Sequence, residues 1–218
     1  MNMKKDLVEL IFILDRSGSM AGLEKDTIGG FNSMIKRQKE TKGQALVTTV
    51  LFDDHYELIH QRKRISNVND MTTNEYFVRG TTALLDAIGR SVTQIIACHK
   101  KLKNDEIPER TVVVITTDGM ENASREYSSA KIKQMIEFQK EKYQWEFIFL
   151  GANMDALNTA KDFGISEDRV ANYHADEEGT ELNFRVIAET ISELRVKKSI
   201  SSDWKNEIDE DYQTRHKK

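Results

Sequence analysis

Two apolar runs constrain this chain more than any other feature: LVELIFIL at residues 7–14, and the valines and isoleucine of RTVVVITTDG. A strand with one wet face alternates apolar and polar residues, whereas a run apolar at nearly every position needs cover on both faces. Both runs end at a carboxylate, Asp15 and Asp118. The expectation is a central, mostly parallel sheet sandwiched by helices, with both aspartates at strand exits.

The remaining pattern fits that frame. DTIGGFNSMIKRQKE places Ile28, Phe31, Met34 and Ile35 on one helical stripe despite Gly29 and Gly30. ALVTTVLFDD and YELIHQRKRI read as a hairpin around Asp53, Asp54 and His55, suited to an antiparallel edge. TTALLDAIGRSVTQIIACHKKL reads as a long amphipathic helix, and the sole proline, Pro108, falls in the turn that follows. SSAKIKQMIEFQKEKY (helix), WEFIFLGAN (strand), MDALNTAKDFG (helix), RVANYHA (strand) and TELNFRVIAETISELRV (helix) complete the alternation. Strands alternating with helices predict a doubly wound α/β sheet of about six strands in one domain, residues 1–200, followed by a loose charged tail, 201–218.

Composition narrows the function. With 32 basic against 36 acidic side chains spread along the chain, no basic stripe proposes nucleic acid. Cys98 alone allows no disulfide framework, and its place in an apolar pattern predicts a buried thiol. Lys4 and Lys5 before an apolar run mimic a leader, but Glu9 interrupts the run and no small-residue cleavage site follows. No segment approaches the roughly 20 apolar residues a bilayer demands. A cytoplasmic protein without membrane partners is expected.

In ILDRSGSMAG, Asp15, Ser17 and Ser19 supply three hard oxygens from alternate positions, and Gly18 frees the backbone between the serines. By itself the pattern also suits a turn capped by Asp15. RGTTALLDAI and VITTDG add a hydroxyl and a second carboxylate, Thr82 and Asp118, in segments that a sheet of this kind brings to one edge. Mg²⁺ takes near-octahedral oxygen ligands at about 2.0–2.1 Å and keeps several waters, which suits such a set.

With these segments the chain resembles the von Willebrand factor A domains over residues 7 to about 195. Their metal-ion-dependent adhesion site is written Asp-x-Ser-x-Ser, then Thr, then Asp. The resemblance implies that Ser17, Ser19 and Thr82 contact a divalent cation, while Asp15 and Asp118 act directly or through water. Thr81 competes with Thr82, and the alignment of GTTALLDA favours Thr82. The implied cation is Mg²⁺, or Mn²⁺ or Ca²⁺, and the implied partner is a protein presenting Asp or Glu. The resemblance is to the stand-alone bacterial or phage type, with a complete adhesion-site motif.

Neutral hydroxyl ligands leave Mg²⁺ electron-poor, so an external carboxylate would complete its shell. Arg16 and Arg79 stand near enough in sequence to assist that carboxylate, and Met20 and Met120 could form an apolar rim or pack. The leading reading is a non-catalytic binding module. A metal-assisted phosphatase or hydrolase is the first alternative. It would want a second carboxylate where Ser17 stands, or a Gly-x-x-x-x-Gly-Lys or Gly-x-Ser-x-Gly motif, and the chain has none of these. His55, His60, His99, His174 and His216 show no zinc spacing. The second alternative is a structural subunit whose metal only stabilises the loops.

Overall fold

The computed structural model describes residues 3–152 and 155–215. The expected strand WEFIFLGAN and helix MDALNTAKDFG include Asn153 and Met154, and the expected tail includes 216–218 with His216; these lie outside the described residues.

The strands are β1 (Lys4–Asp15), β2 (Gln44–Phe52), β3 (Tyr56–Arg64), β4 (Pro108–Thr117), β5 (Glu146–Ala152) and β6 (Val170–Tyr173). They form one sheet in the order β3-β2-β1-β4-β5-β6, parallel throughout except for the β2–β3 hairpin. The six-stranded α/β sheet with one antiparallel edge strand agrees with the sequence pattern.

The non-alternating runs split their side chains between two cores, because successive residues of a strand face opposite ways. From β1, Val8, Leu10, Phe12 and Leu14 enter one core, under α1 (Glu24–Glu40), α5 (Glu177–Lys197) and α6 (Asn206–Arg215). Ile11 and Ile13 enter the other, under α2 (Leu84–His99), α3 (Ser129–Tyr143) and α4 (Ala156–Asp162). Burying Phe12 and Phe31, whose rings meet edge to face at 5.7 Å, is worth ~1.5–3 kcal/mol for each side chain. Gly30, a weak helix former, allows this packing: a Cβ there would lie 2.2 Å from Phe184 of α5.

Three expectations need correction. Pro108 heads β4 rather than sitting in the preceding turn, at the strand position that tolerates a missing N–H donor. Cys98 is half-buried, since the core-facing stripe of α2 ends at Ile95 and the last turn instead sets His99 against Trp145. The segment after residue 200 is packed through Arg215: Trp204 and Ile208 are buried in the first core, and Arg215 bridges to Asp176 at the start of α5. Position 200 is therefore no boundary. The polar stretch before α2 hides Val68, Met71 and Tyr76, all buried. No helix among the described residues is long and apolar enough to cross a membrane.

Candidate metal centre

β1 lies between β2 and β4, so the chain winds away from it in both directions, and the crevice beyond the carboxyl ends of β1 and β4 is the switch point of the sheet. Leu14 pairs with Thr116, which sets Asp15 beside Thr117 and brings the two acidic exits together.

All five residues singled out from sequence converge there. Ser17 Oγ lies 3.1 Å from Ser19 Oγ and accepts from Thr82 Oγ1 at 3.0 Å. Ser19 Oγ donates to Asp118 Oδ1 at 2.5 Å. Asp15 accepts from the Ser17 backbone N–H at 2.7 Å through Oδ1 and from Thr117 Oγ1 at 2.5 Å through Oδ2. The turn-capping role of Asp15 and its place in the oxygen cluster therefore coexist. Thr82 is buried within the cluster, whereas Thr81 is exposed. Gly119 permits this closeness: a Cβ there would stand 3.0 Å from both Ser19 Oγ and Thr82 Oγ1.

The electrostatics suit a cation. Burial raises the Asp15 pKa to about 6, despite opposing hydrogen bonds from Thr117 and Ser17. Burial also raises that of Asp118, against its hydrogen bond from Ser19. Asp118 Oδ2 is buried without a hydrogen-bond partner among the described residues. An unpaired buried carboxylate oxygen is costly. A hard divalent ion among Ser17, Ser19, Thr82, Asp15 and Asp118 would compensate it, so the residues present fit such an ion.

The arginines behave differently from expectation. Arg16 is fully buried and turned away from the crevice: Nε donates to Asp53 Oδ2 at 3.0 Å, Nη2 to Glu57 at 2.6 Å and Nη1 to the Glu75 carbonyl at 3.1 Å. Arg79, partly exposed, donates to the same Asp53 Oδ2 at 2.7 Å, and its backbone N–H bonds the Arg16 carbonyl at 2.9 Å. Phe77 covers both guanidinium groups at 5.2 and 5.3 Å. Burial would raise the Asp53 pKa, but the Arg79 hydrogen bond, the His55 N–H and the charge of Arg16 hold it below the usual carboxylate range. Asp53 thus ties the Asp-x-Ser-x-Ser loop to the threonine loop. Asp53, Asp54 and His55 could also present ligand atoms within 4.8 Å of one another, but the two guanidinium groups already balance Asp53. Met20 is buried, and Met120 is 70% exposed beside Asp118.

The supports beneath the loops come from residues outside the motif. The Tyr76 hydroxyl donates to the Asp15 carbonyl at 2.5 Å. Asn122 Oδ1 accepts from the Thr82 N–H at 2.9 Å, and Glu121 accepts from Leu85 N at 2.8 Å. Asp86 accepts three N–H groups, from Arg125, Glu126 and Tyr127. Of these, only Asn122, close after Gly119, carried a local turn signal.

A doubly wound sheet with an oxygen-lined crevice at its switch point is the class this geometry defines. Solved structures place it further. Proximal thread matrix protein 1 from the mussel byssus, with a zinc-occupied metal-ion-dependent adhesion site, superposes with a TM-score of 0.59 at 15% identity, over 85% of this chain and 46% of that one. A von Willebrand factor type A protein from Catenulispora acidiphila matches with a TM-score of 0.56 at 14% identity, over 84% and 42%. The pilus adhesin SpaC from Lactobacillus rhamnosus GG, in an open conformation, matches with a TM-score of 0.65 at 11% identity, over 85% and 30%. This chain therefore has the von Willebrand factor A fold, and it spans less than half the length of these structures. No protein-family model matches the sequence, and no curated protein matches it.

Proposed function

We propose that this chain is a metal-dependent protein-binding module that captures an Asp or Glu side chain of a partner through a divalent cation held by Asp15, Ser17, Ser19, Thr82 and Asp118. The observation that carries the reading is the buried Asp118 Oδ2, unpartnered among the described residues, beside three hydroxyls from two loops. When bound, the cation supplies an electrophilic position for an external carboxylate. The protein's part is to hold the donors. Thr117 and the Ser17 N–H orient Asp15, Asn122 fixes the Thr82 backbone, and the Asp53 bridge fixes the distance between loops.

Mg²⁺ suits the all-oxygen set best, with Mn²⁺ or Ca²⁺ as substitutes. We read the module as non-catalytic, its hydroxyls and carboxylates serving to hold a cation that receives an external carboxylate. Cys98, free and half-buried, fits a reducing cytoplasmic setting.

The test is capture from the native host's lysate with Mg²⁺, with EDTA, and with Asp15→Ala. Partners lost in both latter arms, with the fold retained by circular dichroism, support metal-dependent capture. Partners kept in EDTA defeat it. A large metal-induced melting shift without any metal-dependent partner would favour the structural-subunit reading instead.

A further inference from the structure

At the end of the sheet opposite the metal centre, a groove of about 570 Å³ lies between α2 and α3. Ile107 and Trp145, which directly precede β4 and β5, form part of it, whereas Asp15 and Asp118 stand at the far ends of their strands. We propose that this groove binds an amphipathic carboxylate, in chemistry a medium-chain aliphatic acid. Its chain lies against Phe138 and Trp145, and its carboxylate meets Lys131 at the first turn of α3.

The volume falls within the ~300–1,000 Å³ typical of small-molecule sites. The walls are mostly apolar, from Ile96, Leu102, Met135 and Phe138. Phe138 and Tyr143 are 49% and 39% exposed, with rings edge to face at 6.0 Å, so this is one of the few places where large apolar side chains meet solvent together. Trp145 is buried behind them, edge to face with His99 at 5.7 Å.

Charge decides the headgroup. The lining contains Lys100, Lys131 and His99 but no carboxylate, in a chain whose net charge is -4. His99 Nε2 is held at 2.7 Å by the buried Glu9, which leaves the lysines as the cations available to a ligand. Neither lysine has a carboxylate within 4.0 Å among the described residues, and Lys131 Nζ reaches only Gln134 Oε1, at 3.4 Å. Lys131 also stands in the first turn of a 15-residue helix that has no acidic residue there. A cation at the positive end of a helix is unfavourable, and an anion at that point relieves both the dipole and the lysine.

The proposal is independent of the metal-binding reading and is tested with EDTA present. Dodecanoate, kept below its micelle concentration, is titrated while Trp145 emission is followed in a Trp204→Phe background; Trp204 is the only other tryptophan. Because Trp204 is itself buried, amide shift mapping by NMR on the unmodified chain repeats the titration. The expected result is a saturable response at Trp145, Gln134 and Leu102, weakened about tenfold or more in Lys100→Gln/Lys131→Gln at unchanged melting temperature. Dodecyltrimethylammonium should not compete. Three outcomes overturn the proposal: no saturable response, equal binding of the cationic amphiphile, or a dimer in sedimentation that Phe138→Glu splits. The last would make this face an interface between copies.

Discussion

Replacing Asp53 by asparagine removes one charge at the point where two guanidinium groups share a single carboxylate oxygen. Arg16 is fully buried, so the change strands its charge in a low-dielectric site. Breaking a buried ion pair by removing one partner costs ~3–5 kcal/mol. Arg16 keeps Glu57 and the Glu75 carbonyl, which argues for the lower bound, and Arg79 is exposed enough to rehydrate, so its share is only ~0–1 kcal/mol. The expected loss is about 3 kcal/mol, or a fall in Tm of roughly 6–12 °C at the usual ~2–4 °C per kcal/mol for a chain of this size. Calorimetry and urea unfolding measure it. A double-mutant cycle with Arg16→Met should show a coupling of about 1–3 kcal/mol, because the double variant removes both charges. A single-variant effect within ~0.5 kcal/mol of wild type, or strict additivity, would refute the argument that Asp53 joins the two loops.

Other outcomes follow from the same structure. Gly30→Ala should destabilise by ~1–3 kcal/mol, read by urea unfolding, because the new methyl collides with Phe184. Tyr76→Phe removes the hydroxyl that holds the Asp15 carbonyl and should cost ~1–3 kcal/mol, with weaker Mn²⁺ affinity as the second readout. Burial alone would raise the Asp86 pKa, but three backbone N–H groups outweigh it and hold the folded value below the ordinary one. Its contribution is therefore present above the unfolded pKa of about 3.9 and is lost as the pH falls through the lower folded value. Asp86→Asn should flatten the acid limb of a stability-versus-pH curve below about pH 4 and lower the plateau above it.

The sheet was legible because its signal is local: LVELIFIL and TVVVIT state two-sided burial without reference to any other segment. The five oxygens were legible because a strand exit places each acidic residue, and the motif gathers the hydroxyls around them. Arg16 was not, since an arginine in a loop reads as solvated until its partner, Asp53 from the hairpin 37 residues away, is seen. Tyr76 and Met71 lay in a polar, weakly periodic stretch, where burial arises from the path of the loop against the first core rather than from a repeating face. The packed C-terminal helix was missed for a related reason. Its charged sequence has a weak apolar face, with Ile208 buried on it and Trp204 buried just before it, and part of its anchoring is polar, as in the pair between Arg215 and Asp176.

Whether five side chains hold one divalent ion is decided by Mn²⁺ binding followed by electron paramagnetic resonance. The expected result is one ion per chain in the wild type, and loss of that binding in Asp118→Ala while the folded circular dichroism spectrum persists. No bound Mn²⁺ in the wild type, or binding unchanged by Asp118→Ala, would contradict it.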